Sequence, residues 1–139
     1  LESRGVPVIG YQTDEFPAFY SINSGLPVDD RVESTAEIVA IAKAHWALGL
    51  QSAILVCIPP PVEVAMDADE VNQALEAALQ QAEIDGITRG RITPYLLTKM
   101  AELTHGKSLE ANLALLQNNA SLAAQIAVML SENTTLKNY

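Results

Sequence analysis

The residues best equipped for chemistry are few and scattered. His45 and His105 are the two histidines, far apart in the chain and without a second metal-like partner spaced beside either. The acidic pairs Asp14-Glu15 and Asp29-Asp30 have the donor type for a divalent cation. Such pairs in loops are more often solvated charges, and that is the reading taken here. Cys57 is the only cysteine, so no internal disulfide can form, which agrees with a reducing compartment and a cytoplasmic location. No glycine-rich phosphate loop of the GxGxxG or GxxxxGK[ST] type occurs, and no GxSxG elbow. Local motifs alone therefore name no reaction. Thr13 and the stretch Phe16–Phe19 do follow directly on an apolar run, where ligand loops often sit. They are expected to form a pocket wall, with plain packing as the competing reading.

The elements that must hold such residues are easier to read. Val6–Tyr11 is a short apolar run and reads as a buried strand. Gln12–Gly25 is a loop with breakers at Pro17 and Ser21-Ile22-Asn23-Ser24-Gly25, and Leu26–Val32 is a candidate second strand. Ser34 and Glu37 have capping-box spacing. Ile38, Ile41, Ala42, His45 and Trp46 follow at helical intervals, which places Trp46 in the core, and Gly49 stops the helix. Ser52–Ile58 is apolar without alternation, as in a strand covered on both faces, and Pro59-Pro60-Pro61 ends it. Asp67 starts a helix that runs to Gly86, and Thr93-Pro94 starts another that ends near Leu103. Ser108 is expected to cap the last helix. There Leu109, Leu113, Leu116, Ala120, Ala123, Ala127 and Leu130 form one stripe, and Leu115, Leu122, Ile126 and Met129 widen it, so burial on more than one side is expected.

Composition bounds the function. The 139 residues are 49% hydrophobic with a mean hydropathy of +0.15, enough for a core and too apolar for a disordered chain. The formal net charge of -9, with 8 basic residues spread out, argues against nucleic acid. No signal peptide is visible, and no unbroken apolar run approaches the roughly 20 residues of a membrane helix, so no membrane is expected. The first residue is Leu1, and Leu1–Gly5 reads as the last turn of a helix, so further chain is expected before it.

One resemblance goes beyond these limits. Gly5–Tyr20 (GVPVIGYQTDEFPAFY) is similar to the strand and loop after the active-site helix of pseudouridine-5'-phosphate glycosidases, the indigoidine synthase A-like family. Further matches follow in order: Ser24-Gly25-Leu26, Trp46 with Leu48-Gly49-Leu50, Thr93–Leu97, Ala101–Thr104, Ser108–Asn112, and Asn118-Asn119-Ala120 with Leu122-Ala123 and Ile126-Ala127. The resemblance implies an α/β class, part of a three-layer α/β/α fold with a mixed sheet and a helix-rich C-terminal half. Residues 1–132 would be the C-terminal portion of one glycosidase domain and 133–139 a frayed tail.

The implied reaction is reversible cleavage of the C–C glycosidic bond of pseudouridine 5'-phosphate to uracil and ribose 5-phosphate. A lysine forms a Schiff base with the ring-opened sugar, which makes an electron sink. A glutamate moves protons, manganese (Mn2+) helps hold the phosphate, and the assembly is a homotrimer. The matching lysine, glutamate and metal-binding aspartate would all lie before Leu1. None of Lys43, Lys99, Lys107 or Lys137 stands at the lysine's place, so the isolated chain is expected to be inactive and to hold no metal ligand. Asn112 matches an active-site asparagine and is the one catalytic candidate, an amide donor and acceptor for substrate, with a capping or interhelix bond as the alternative. Thr13 and Phe16 are the substrate-binding candidates, while Asn118 and Asn119 are expected to make structural bonds. Two departures stand out. Ile58–Val62 (IPPPV) replaces a usual Asn-Pro-Ile-Pro-Glu run, and His45 replaces a basic residue. The Ile58–Val62 departure, with the non-Met start, supports an alternative, a non-catalytic remnant or regulatory subunit of the same fold.

Overall fold

The computed structural model describes residues 1–135. Three strands, β1 (Val8–Tyr11), β2 (Asp30–Val32) and β3 (Leu55–Cys57), alternate with or precede four helices. These are α1 (Thr35–Ala47), α2 (Ala68–Ile84), α3 (Ile92–Leu103) and α4 (Lys107–Thr135). Short 3-10 turns occupy Glu2–Arg4 and Arg89–Arg91.

The strand order is β2-β1-β3, and both pairings are parallel, with Ile9 opposite Asp30 on one side and Val56 on the other. The mixed sheet expected above is therefore parallel in its three described strands. The chain leaves β1 at its carboxyl end, folds the loop back on itself, and re-enters β2 in the same direction. Helix α1 then carries it back before β3. Among the described residues, antiparallel pairing survives only as an isolated bridge between Glu15 and Pro27, inside that loop.

Two cores organise the molecule. Ile9, Val32, Ile38 and Leu122 form one, joining β1 and β2 to α1 and α4, with Ile41, Val56 and Ile126 packed around it. The second joins Tyr20 and Met66 to α2, α3 and α4 through Val71, Ala78, Met100 and Ala111. Helix α4 is the spine shared by both. In its buried face, Ser108, Ala111, Leu115 and Leu122 recur at intervals of three, four and seven.

Helix ends follow the expected chemistry in two cases. Ser34 Oγ accepts from the Glu37 amide at 3.4 Å, and the Glu37 carboxylate takes the Glu33 amide at 3.0 Å. Asp67 Oδ1 accepts from the Asp69 and Glu70 amides. Two other expectations fail. Helix α3 begins at Ile92, ahead of Thr93-Pro94, because the 3-10 turn at Arg89–Arg91 feeds into it. Helix α4 begins at Lys107, and its early amide at Ser108 is taken by the Thr104 hydroxyl at 3.1 Å. Ser108 is thus capped rather than capping, and it is buried.

Three further expectations need revision. Trp46 is 53% exposed, and His45 beside it is the buried residue. Helix α4 continues through Asn133 to Thr135, where a tail was expected, and the rest of that tail, residues 136–139, lies outside the described residues. Residues Lys107–Glu132 are long and apolar enough to cross a membrane by length and composition. No unbroken apolar run marks this stretch, because its Ala and Leu are interleaved with Asn and Gln.

Candidate functional site

The carboxyl ends of parallel strands open onto the crevice where α/β proteins usually bind ligands. Here that edge carries the loop after β1, the prolines after β3, and the first half of α4. Gly10, in β1, is what lets the loop close over the strand: a β-carbon there would stand 2.1 Å from the Thr13 carbonyl oxygen. Gln12 then takes a left-handed backbone (φ 57°) and donates its amide to the Val32 carbonyl at 2.8 Å.

Thr13 is buried, and its hydroxyl is engaged locally. It donates to the Glu15 carbonyl at 3.0 Å and accepts from the Glu15 amide at 3.2 Å. The Glu15 carboxylate reaches across the loop and accepts from the amides of Ser24 and Gly25, both at 2.8 Å. Phe16 donates its amide to Leu26, and its carbonyl accepts from the Ser24 hydroxyl. Its ring is partly exposed at the loop surface. The tip is also tied down electrostatically, since exposed Arg31 contacts Asp14 and Glu33, each at 2.6 Å. These hydrogen bonds push the guanidinium pKa up, Glu33 contributing first and Asp14 second.

The loop is then joined to the rest of the edge. Tyr20 accepts the Met66 amide at 2.8 Å and packs edge-on against Phe19, which also has a left-handed backbone (φ 69°). Burial pushes the Tyr20 phenol pKa up. Burial does the same to the Cys57 thiol at the end of β3, which leaves it inert rather than nucleophilic. From α4, Asn118 Nδ2 donates to the Pro59 carbonyl at 3.3 Å. That is the structural bond expected of it. Asn112 lies in the second turn of α4, half-buried, beside Ala111 of the Tyr20–Met66 core. Its side chain makes no hydrogen bond among the described residues, and none links it to Thr13 or Phe16.

A hollow of about 380 Å³ opens between this loop and the start of α2, lined by Ser21, Ile22, Asn23, Val62, Met66 and Asp67 among others. Thr13, Phe16 and Asn112 do not line it. Its walls offer hydroxyl, amide, carboxylate and apolar groups, with no lysine, arginine or histidine, so it cannot neutralise a phosphate by itself. Lys99 and Lys107 are committed to Glu102 and Glu70, both at 2.8 Å. Lys137 lies outside the described residues. Among the described residues no group of three or more His, Cys, Asp or Glu is placed to hold a metal. The residues present do not by themselves make a site for the manganese that the resemblance implies.

Sequence reading missed two constructions. One is the Glu15 clamp, which spans nine and ten residues and has no local spacing rule. The other lies at the opposite edge, where His45 Nε2 contacts the Ser52 hydroxyl at 3.0 Å and its carbonyl at 3.1 Å. The Ser52 hydroxyl in turn donates to the Gly5 carbonyl at 2.5 Å. His45 therefore works as a strap between α1, the entry to β3 and the entry to β1.

The family model for "Indigoidine synthase A like protein" matches residues 1–129. The chain belongs to the indigoidine synthase A-like family. Among curated relatives, the pseudouridine-5'-phosphate glycosidase of Gemmatimonas aurantiaca is 50% identical over 134 residues, 96% of this chain and 44% of its own length. That of Caldanaerobacter subterraneus is 48% identical over 132 residues, 95% of this chain and 43% of its own. The chain thus spans less than half the length of these relatives and matches their C-terminal part. Two solved structures share the fold. The prealnumycin C-glycosynthase AlnA, in complex with ribulose 5-phosphate, aligns over 99% of this chain and 45% of its own, with a TM-score of 0.86 and 31% identity. An indigoidine synthase A-like protein of Thermotoga maritima aligns over 94% of this chain and 42% of its own, with a TM-score of 0.82 and 38% identity.

Proposed function

We propose that this chain forms the C-terminal portion of a pseudouridine-5'-phosphate glycosidase, cleaving the C–C bond of its substrate to uracil and ribose 5-phosphate through a lysine Schiff base. The observation that carries the reading is the 50% identity, spread across 96% of the chain, to a relative of that name. The ribulose 5-phosphate bound by AlnA supports a sugar-phosphate ligand of the same size class.

In this reading the nucleophilic lysine, the proton-transfer glutamate and the manganese ligand are supplied by the portion of the family fold outside this chain. The whole works as a cytoplasmic homotrimer. This chain contributes the sheet edge. Asn112, whose amide has no partner within the described residues, is offered to the substrate as donor and acceptor. Thr13 shapes the loop through its hydroxyl turn, and Phe16 adds apolar wall. The alternative, a non-catalytic subunit, draws on the Pro59-Pro60-Pro61-Val62 run, which places no polar side chain at the exit of β3.

Reductive trapping separates the two. The complete protein, incubated with ribose 5-phosphate and borohydride, should gain the mass of a reduced sugar-phosphate adduct on one lysine, and that lysine should lie outside residues 1–139. A protein that processes no substrate and traps no adduct would be the non-catalytic subunit.

A further inference from the structure

Helix α4 carries two apolar stripes, and among the described residues only one has a partner. Ala111 and Leu122 belong to the two cores, and Leu115 between them is buried. The second stripe, Leu109, Leu113, Leu116, Ala120, Ala123 and Ala127, is exposed along its length, with its three leucines at 53%, 53% and 56%. Steps of four and three keep these six residues on one face. From Ala111 to Ser131 no residue is charged, so covering the stripe would desolvate no ionic group. An apolar seam of this length on an otherwise folded helix is the signature of an interface.

What covers it can be argued from the relatives. AlnA and the Thermotoga maritima protein superpose on nearly all of this chain, α4 included, within chains more than twice as long. We propose that the Leu109–Ala127 stripe is the seat of the remaining portion of the family fold, the part that those longer chains carry beyond the match. The stripe narrows from leucine to alanine, so a helix laid along it approaches α4 most closely near Ala127 and Ala123. A bilayer fits less well: it would take in Asn112, Gln117, Asn118, Asn119 and Gln125, five amides on an otherwise largely apolar helix.

The inference rests on family membership and not on the proposed reaction. Its test is co-expression of this chain with the part of the Gemmatimonas aurantiaca relative outside the match, followed by affinity capture and light scattering. A one-to-one complex is expected. Leu113→Glu combined with Leu116→Glu should weaken it by at least a hundredfold, Leu113→Ala with Leu116→Ala about tenfold, and Gln117→Glu, off the stripe, by less than twofold. Circular dichroism of the alanine pair should retain the helical content of the parent, which separates lost docking from lost folding. The proposal is overturned if no complex forms, or if it survives both leucine pairs. It is equally overturned if the chain instead forms a homodimer that these substitutions break, or floats with phosphatidylcholine vesicles through the same face.

Discussion

The carbonyl oxygen of Thr13 lies against the α-carbon of Gly10, 2.1 Å from where a β-carbon would stand. Strand and loop can meet this closely only because residue 10 has no side chain. The atom in the way is backbone, so it cannot swing aside as a side-chain tip would. Gly10→Ala should therefore displace the Thr13–Glu15 turn and destabilise the fold by about 1–3 kcal/mol, seen as a lower urea midpoint with an unchanged slope. A midpoint equal to that of the parent would mean that the loop does not pack on β1 as described.

The connection between α3 and α4 depends on one buried hydroxyl. Thr104, 2% exposed, donates to the Met100 carbonyl at 2.6 Å and accepts from the Ser108 amide at 3.1 Å. Thr104→Val keeps the shape and removes both bonds, leaving the Ser108 amide without its acceptor. The expected loss is about 1–3 kcal/mol of stability in thermal or urea unfolding, and Thr104→Ser should recover most of it.

Tyr95 and Asp85 form a titrating pair on the surface. The Tyr95 hydroxyl donates to Asp85 at 2.6 Å, and this bond pushes the phenol pKa up to about 12. The same bond, with help from Gln81, holds the Asp85 carboxyl below its ordinary value. The signs follow from linkage. The depressed Asp85 contributes stability above its unfolded pKa, and this is lost as pH falls through the lower folded value. The raised Tyr95 contributes below its unfolded pKa, and this is lost as pH rises towards 12. Asp85 is exposed and Tyr95 half-buried at the surface, so the effect belongs in titration curves. Tyr95→Phe should return the Asp85 carboxyl towards the ordinary range, as followed by carboxyl NMR, and should abolish the highest-pH step in the tyrosinate absorbance titration.

Asn112 and Asn118 should separate when substituted in the complete protein. Asn118 holds the Pro59 carbonyl, so Asn118→Ala should lower thermal stability by about 1 kcal/mol and change turnover little. Asn112 has no such bond among the described residues. Asn112→Ala should leave stability unchanged and lower kcat/KM on pseudouridine 5'-phosphate about 10- to 100-fold. The reverse pattern would assign Asn112 to structure and remove the one catalytic candidate on this chain.

Local rules reached some of these features and not others. The caps at Ser34 and Asp67, the strands around Ile9 and Val56, and the helical spacing of Ile38, Ala42 and His45 all depend on neighbours within a turn or a strand, and the sequence carries them directly. Trp46 was misplaced because helical spacing defines a stripe without saying how wide it is or where the covering element stops. The same ambiguity lets α4 show two seams, of which, among the described residues, only the one through Ala111, Leu115 and Leu122 is filled. The site loop was the least legible. Its shape rests on Glu15 meeting the Ser24 and Gly25 amides and on left-handed backbones at Gln12 and Phe19, residue types that seldom announce such conformations. Family resemblance located Asn112, which no spacing argument within the chain would have singled out.

The most direct test is release of uracil from pseudouridine 5'-phosphate, measured for this chain alone and for the complete protein in which it is joined to the rest of the family fold. The account predicts steady release by the complete protein, re-formation of pseudouridine 5'-phosphate from uracil and ribose 5-phosphate, and no turnover by residues 1–139 alone. Turnover by the isolated chain would contradict the placement of the nucleophile outside it. A well-folded complete protein that neither releases uracil nor condenses it would contradict the assignment itself.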